Sequence, residues 1–242
     1  MNWIIISADR PAQLQLLLES AAEYFPSVFP YVVFDASSTE MLSAYGLVHE
    51  RFRAAWHRTS DVREVVGDIV CHTRPNGTLE PMTLITNDFT LFQERVYTND
   101  AWAALLDNDT LGLSLFRSSK ETGPGLLSEP STRTQSERFS WRWREATTPW
   151  REPFSLGTIY RTSDLIGPLT RTVWGTPGTL CSAMETEVSF DRRPKLQCLG
   201  DPALALYPTR EPTLGKYLNG QCIDRSRIDE TLDNYRWKIW KD

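Results

Sequence analysis

Short apolar runs, each ending in a polar cluster and each handing over to a segment of helical periodicity, recur through the first half of the sequence. Residues 2–7 form the first, where Trp3, Ile4, Ile5 and Ile6 are contiguous, so both faces of the strand they predict must be covered. Pro11 opens a segment in which Leu14, Leu17, Leu18, Ala21 and Ala22 recur at helical spacing, and proline suits a first helical position. The pattern repeats with the run 31–34, the tip Asp35-Ala36-Ser37-Ser38, and a short helix over 39–45 capped by Ser37 or Ser38. Further strands are expected at 81–86, stopping at Asn87-Asp88, and at 111–116, after a helix over 99–106. Strands apolar on both faces that alternate with helices predict an α/β fold: an open, mixed but mainly parallel sheet flanked by helices.

From 117 to 138 the periodicity gives way to Ser, Thr, Gly, Pro and charges, a loop of functional or mobile character. Beyond it, strands at 139–143 and 153–160 and helices near 163–173 and 179–190 predict an α+β lobe. No repeat or linker separates two folds, so the reading is one domain over 1–242, made of a half at 1–116, the loop at 117–138 and a half at 139–242.

Composition narrows the function. With 40% hydrophobic residues among 242, the chain can bury a core without staples. Lys and Arg number 26 against 31 Asp and Glu, a net charge of -5 with no basic block, which argues against general nucleic-acid binding. The apolar runs fall far short of the roughly 18–20 residues that cross a bilayer. No basic stretch precedes the first run and Asp9 follows it at once, so the expected location is the cytoplasm. The tail at 223–242, with Ile228, Leu232, Tyr235, Trp237, Ile239 and Trp240, reads as an amphipathic helix packed on the body; peripheral membrane contact is its minority alternative. Cys71, Cys181, Cys198 and Cys222 match no metal knuckle or disulfide scaffold and read as free buried thiols, with Cys71-His72 at the end of a strand. Nine tryptophans include Trp141, Trp143 and Trp150 in close succession. Such density usually marks core, yet an indole also stacks on a sugar face.

In an open parallel sheet, ligands sit outside the carboxyl ends of the strands. The tips there would be Ser7-Ala8-Asp9-Arg10, Asp35-Ala36-Ser37-Ser38 and Thr86-Asn87-Asp88. Neither the Gly-x-Gly-x-x-Gly pattern nor a Gly-Lys-Ser/Thr phosphate loop occurs, which removes the commonest nucleotide folds on such sheets. Phosphate must be held otherwise, by a divalent cation on a strand-end carboxylate or by an arginine such as Arg10.

These blocks resemble, in order, the nucleotide-sugar glycosyltransferases of the GT-A fold broadly grouped with family 2. Ile6-Ser7-Ala8-Asp9-Arg10-Pro11 looks like that family's opening strand and Arg-Pro turn. Val33-Phe34-Asp35-Ala36-Ser37-Ser38 looks like its second strand, and Thr86-Asn87-Asp88-Phe89 stands where its acidic metal motif does. Phe139-Ser140-Trp141-Arg142-Trp143, Trp150 and 153–161 resemble later blocks of a bacterial and viral branch.

The resemblance implies a glycosyltransferase that moves a sugar from a UDP- or GDP-linked donor to a glycan or other hydroxyl acceptor, with inversion expected and retention not separated from it. It implies a donor half at 1–116 and an acceptor half at 139–242. Ser7, Arg10, Asp35, Ser37 and Asn87 would contact the nucleotide sugar, Asp88 would hold Mn2+ or Mg2+ and act in catalysis, and Trp141, Trp143 and Trp150 would receive the acceptor. The sequence departs from the family in three places, one being the branch's Ser-x-Asp-Gly block, which appears as Ser155-Leu156-Gly157, one residue short and without its carboxylate. Asn87 leaves the metal motif with one carboxylate, and Cys181 stands where the family has its glutamate, so the base passes to Glu185, one helical turn on, with Glu187 behind it. The departures keep open a degenerate member that binds nucleotide sugar or glycan without transfer. A nucleotidyltransferase on a related sheet is third, for want of a Gly-rich, Lys-containing loop.

Each residue also has a plainer reading. Asp35 suits an Asx turn, Asp88 could cap the segment from Phe89, Arg10 could be a solvated turn residue, and Glu185 and Glu187 could be solvated carboxylates on a polar helix face.

Overall fold

The structure is a computed structural model describing residues 1–72, 81–121, 124–129 and 136–206. The expected C-terminal helix at 223–242, Cys222 and parts of the loop at 117–138 lie outside the described residues. In chain order the elements are β1 (Asn2–Ala8), α1 (Pro11–Tyr24), β2 (Pro30–Asp35), α2 (Thr39–Arg51), β3 (Ala55–Arg58), α3 (Val62–Cys71), β4 (Met82–Asn87), β5 (Thr90–Phe92) and α4 (Thr98–Leu105). There follow β6 (Thr110–Ser118), β7 (Leu127–Ser128), β8 (Arg138–Arg142), β9 (Thr158–Arg161), α5 (Thr162–Arg171), α6 (Pro177–Glu185), β10 (Lys195–Leu199) and β11 (Leu204–Leu206).

One sheet carries the order β3-β2-β1-β4-β9-β6-β10-β8-β7, and β11 pairs with β5 in a small second sheet. β1, β2, β3 and β4 pair in parallel, as do β6 and β10; β9 runs against both of its neighbours, and β8 against β10 and β7. The expected mixed, mainly parallel sheet between helices is present.

Alternation along β1 splits the core into two layers. Trp3 and Ile5 face one side, packing with Leu14, Leu17 and Leu18 of α1, Tyr45 and Val48 of α2 and Ala101 and Ala104 of α4. Ile4 and Ile6 face the other, with Val66 and Val70 of α3, Leu165 and Leu169 of α5 and Leu180 and Met184 of α6. At about 1.5–3 kcal/mol for each large apolar side chain taken out of water, these layers hold the sheet and so fix where its strand ends lie.

The elements differ from expectation in places. α2 continues to Arg51 because Tyr45 and Val48 extend its buried stripe. Cys71 closes helix α3 rather than a strand and is exposed, while Cys181 is partly and Cys198 fully buried. The strand expected over 153–160 is Thr158–Arg161 alone, since Gly157 turns at φ 78° immediately before it. Among the described residues, no helix is long and apolar enough to cross a membrane.

Candidate functional site at the carboxyl edge of the sheet

β1 lies between β2 and β4, parallel to both, with Ala8 in register with Asp35 and Ile6 with Asn87. The polar tips read from the sequence therefore meet on one edge, where Asp35 and Asp88 flank the end of β1. Their side chains have different fates. The Asp35 carbonyl accepts the Asp9 amide at 3.2 Å, while its carboxylate is exposed and makes no hydrogen bond among the described residues, so it is available to a ligand. Asp88 is turned inward, with 2% of its side chain exposed.

Asp88 terminates a relay that sets the β1–α1 turn. Ser7 Oγ donates to Asp88 Oδ2 at 2.8 Å, and the Ala8 amide donates to the same oxygen at 3.4 Å. A hydroxyl has one proton, so Ser7, having given its own to Asp88, must accept from Tyr45 Oη, 2.6 Å away. Tyr45 Oη in turn accepts from the Arg10 amide at 3.1 Å. Burial, the largest influence, pushes the Tyr45 phenol up to about 12, so it keeps the proton this chain requires. Burial likewise raises the Asp88 carboxyl, against the bonds from Ser7, Arg10 and Ala8.

The Arg10 side chain returns to the same carboxylate, with Nη1 at 3.3 Å from Asp88 Oδ1 and Cζ 3.8 Å above the Phe89 ring. It is 39% exposed. The plainer readings resolve differently: Asn87 Oδ1, not Asp88, accepts the Phe89 amide, and Ser38, not Asp35, caps α2 through Met41. Asp9 holds the left-handed region at φ 53°, a conformation aspartate tolerates better than most residues, and its Oδ1 accepts the Ser37 amide at 2.8 Å. The Ser37 amide is the main cause of the Asp9 carboxyl lying below its ordinary value. Ser37 itself is exposed beside Asp35.

This donor set bears on the metal expectation. Mn2+ and Mg2+ want about six oxygens in near-octahedral array. Asn87 supplies no charge, both Asp88 oxygens are taken, and among the described residues no three His, Cys, Asp or Glu converge. Among the described residues, the side chains here do not by themselves make a divalent-ion cage.

A second cluster lies on the α6 side. A cavity of about 690 Å³ is lined by Trp143, Arg144, Glu152, Glu185 and Glu187, among others. Glu185 is exposed, whereas Glu152 is partly buried, and burial raises its carboxyl, with Arg117 opposing and Glu185 adding to the rise. Glu187 is committed to Arg171 at 3.0 Å and to the Ser189 amide. Burial likewise raises the Cys181 thiol, which leaves it unsuited as a base at neutral pH. The indole platform is corrected too. Trp141, Trp143 and Trp150 are 3%, 6% and 3% exposed, and the indole N–H groups of Trp141 and Trp143 bond to Trp150 O and Arg193 O. They are core, and only the rim of Trp143 reaches the cavity. The segment between Glu152 and β9 ties this cluster to β4, because the Gly157 amide donates to Ile85 O at 2.8 Å, two residues before Asn87.

Tyr45, Asp9 and Glu152 belong to these sites and were not singled out in the sequence. Tyr45 lies on the buried stripe of α2, Asp9 was overshadowed by Arg10-Pro11, and Glu152 by Trp150. The Asp-Arg-Pro turn was the one local signal for Asp9.

No protein-family model matches this chain, and no curated protein matches it. Solved structures do. S. aureus TarS aligns over 96% of this chain and 42% of its own, at 13% identity and a TM-score of 0.52. TarS 1-349 in complex with UDP aligns over 95% of this chain and 69% of its own, at 14% identity and a TM-score of 0.54. Its complex with UDP-GlcNAc gives 95% and 64%, at 14% identity and a TM-score of 0.52. The fold is GT-A-like. In a GT-A-like sheet the edge bearing Asp35 and Arg10 is where strand ends and a helix N-terminus converge.

Proposed function

We propose that the protein is a glycosyltransferase taking a UDP- or GDP-linked sugar to a hydroxyl of a glycan or other acceptor, with inversion. One observation carries the reading: Ser7, Arg10, Asp35, Ser37 and Asp88 meet on a single carboxyl edge. The fold supports it, since TarS shares it and was solved with UDP and UDP-GlcNAc.

In this reading Asp35 and Ser37 accept and donate hydrogen bonds at the nucleoside, with Asn87 beside them. Ser7, Tyr45 and Asp88 hold the turn that presents Arg10 to the diphosphate. The acceptor enters the cavity rimmed by Trp143, and Glu185 takes the proton of its hydroxyl as that oxygen bonds to the anomeric carbon. The bond from that carbon to the diphosphate breaks, and its electron pair leaves on a phosphate oxygen. A positioned base contributes about 10²–10⁴-fold. A second reading, a nucleotide-sugar or glycan binder without transfer, is favoured by Cys181 standing in place of a carboxylate and by the exposure of Glu185.

Thermal unfolding with UDP, GDP and CMP sugars, combined with an assay for release of free nucleotide, tests both. A ligand at about 100 times its Kd stabilises by ~2.7 kcal/mol, worth roughly 5–10 °C in Tm for a chain of this size. Transfer requires a shift with one sugar nucleotide, slow donor hydrolysis, and loss of hydrolysis by about 10²-fold in Glu185→Gln with the shift retained. A shift without hydrolysis selects the binder. No shift with any nucleotide overturns both.

A further inference from the structure

The same edge says how its phosphates are held. Arg10 and Asp88 form a dipole with a fixed sense: the carboxylate is buried and bonded on both oxygens, while the guanidinium stands at the open end. An ion arriving from solvent meets the positive end first. The fork is braced from below by Phe89, 3.8 Å from Cζ, and laterally through Nη1 alone. Its other N–H groups have no acceptor among the described residues, and five donors in a plane match phosphate oxygens. Behind it α1 starts at Pro11 with no side-chain cap and no acidic residue in its first turn, so its amide end adds to the positive potential. Among the described residues no three His, Cys, Asp or Glu gather there to hold a metal by themselves.

We propose that this cleft binds its nucleoside diphosphate without a divalent cation, the Arg10 guanidinium, held by Asp88 and Phe89, supplying the positive charge. The inference rests on the nucleotide-sugar reading, and the measurements below separate the failure of one from the failure of the other.

The full chain is titrated calorimetrically with UDP and GDP, and with uridine and guanosine, in EDTA and in excess MnCl2. The expected result is that one diphosphate binds with the same affinity in both buffers. Arg10→Gln should weaken it by about 10- to 100-fold, the range for a charge-assisted hydrogen bond, and leave the matching nucleoside unchanged. Arg10→Lys should recover part of the loss, since it keeps the charge but not the fork. Independently of any variant, the electron paramagnetic resonance signal of Mn2+ with the diphosphate should be no further attenuated by adding the protein. Binding that appears only with manganese, or protein-dependent loss of the Mn2+ signal, overturns the inference and leaves the nucleotide reading intact. So does an Arg10→Gln protein, shown to be folded by its unfolding transition, that binds the diphosphate as the wild type does. Absence of binding by both diphosphates in both buffers overturns the nucleotide reading, and the inference with it.

Discussion

Glu152 and Glu185 face one cavity with Arg117 near the first of them, and the Glu152 carboxyl feels both neighbouring charges. Burial holds the Glu152 carboxyl above its ordinary value, and the charge on Glu185 lifts it further. Removing that charge in Glu185→Gln therefore lowers the pKa of Glu152, which carbon NMR of the labelled carboxyl will read; an unchanged or raised value contradicts the arrangement. A second residue-scale consequence concerns Tyr45. In Tyr45→Phe, Ser7 loses its donor and the Arg10 amide its acceptor inside a relay with little access to water. We expect a loss of about 1–3 kcal/mol in urea unfolding, together with weaker diphosphate binding because Arg10 is no longer set. At this scale the sequence disclosed Ser7, Arg10, Asp35 and Asp88 by their place at strand ends. It hid which of the two aspartates turns inward, because that depends on a tyrosine 38 positions after Ser7.

Elements were legible in proportion to how continuous their apolar runs are. β1, β2 and β4 carry contiguous buried residues and were placed within a residue or two at most ends. β9 was overextended, and its direction against β4 and β6 has no local signature, since alternation reports a strand but not its sense. The turn before it rests on Gly157, whose amide and carbonyl bond Ile85 O and the Leu115 amide. A β-carbon there would lie 2.3 Å from Phe116 Cε2 and 2.9 Å from Leu204 Cδ1, in a backbone region side chains avoid. Gly157→Ala should cost about 2–4 kcal/mol, adding the left-handed penalty to overpacking, measured by urea unfolding. A cost under half a kilocalorie would mean the turn relaxes freely. Burial of the tryptophans belongs to this scale too: β8 and the turn after it carry their indoles into the second core layer, where packing claims a side chain that sequence alone left open to sugar.

Across the described residues, β1 to β4 form one parallel block and β6, β10, β8 and β7 a second, mixed one; in the large sheet β9 bridges them, bonded to β4 on one side and β6 on the other. A fragment ending at residue 116 lacks that bridge and the partner strand β10. It is expected to lose the single sharp transition of the full chain and to exchange its amide protons rapidly; a cooperative transition in the fragment would show that the first block stands alone. The mixed sheet was foreseeable from the alternation of strands and helices, but the interleaving was not, because it joins residues 84 and 159. On a ribosome, then, the early strands of this chain emerge long before the strand that completes them. The nascent chain must carry an unfinished edge, open to chaperones or to unwanted partners, until Thr158–Arg161 has been translated.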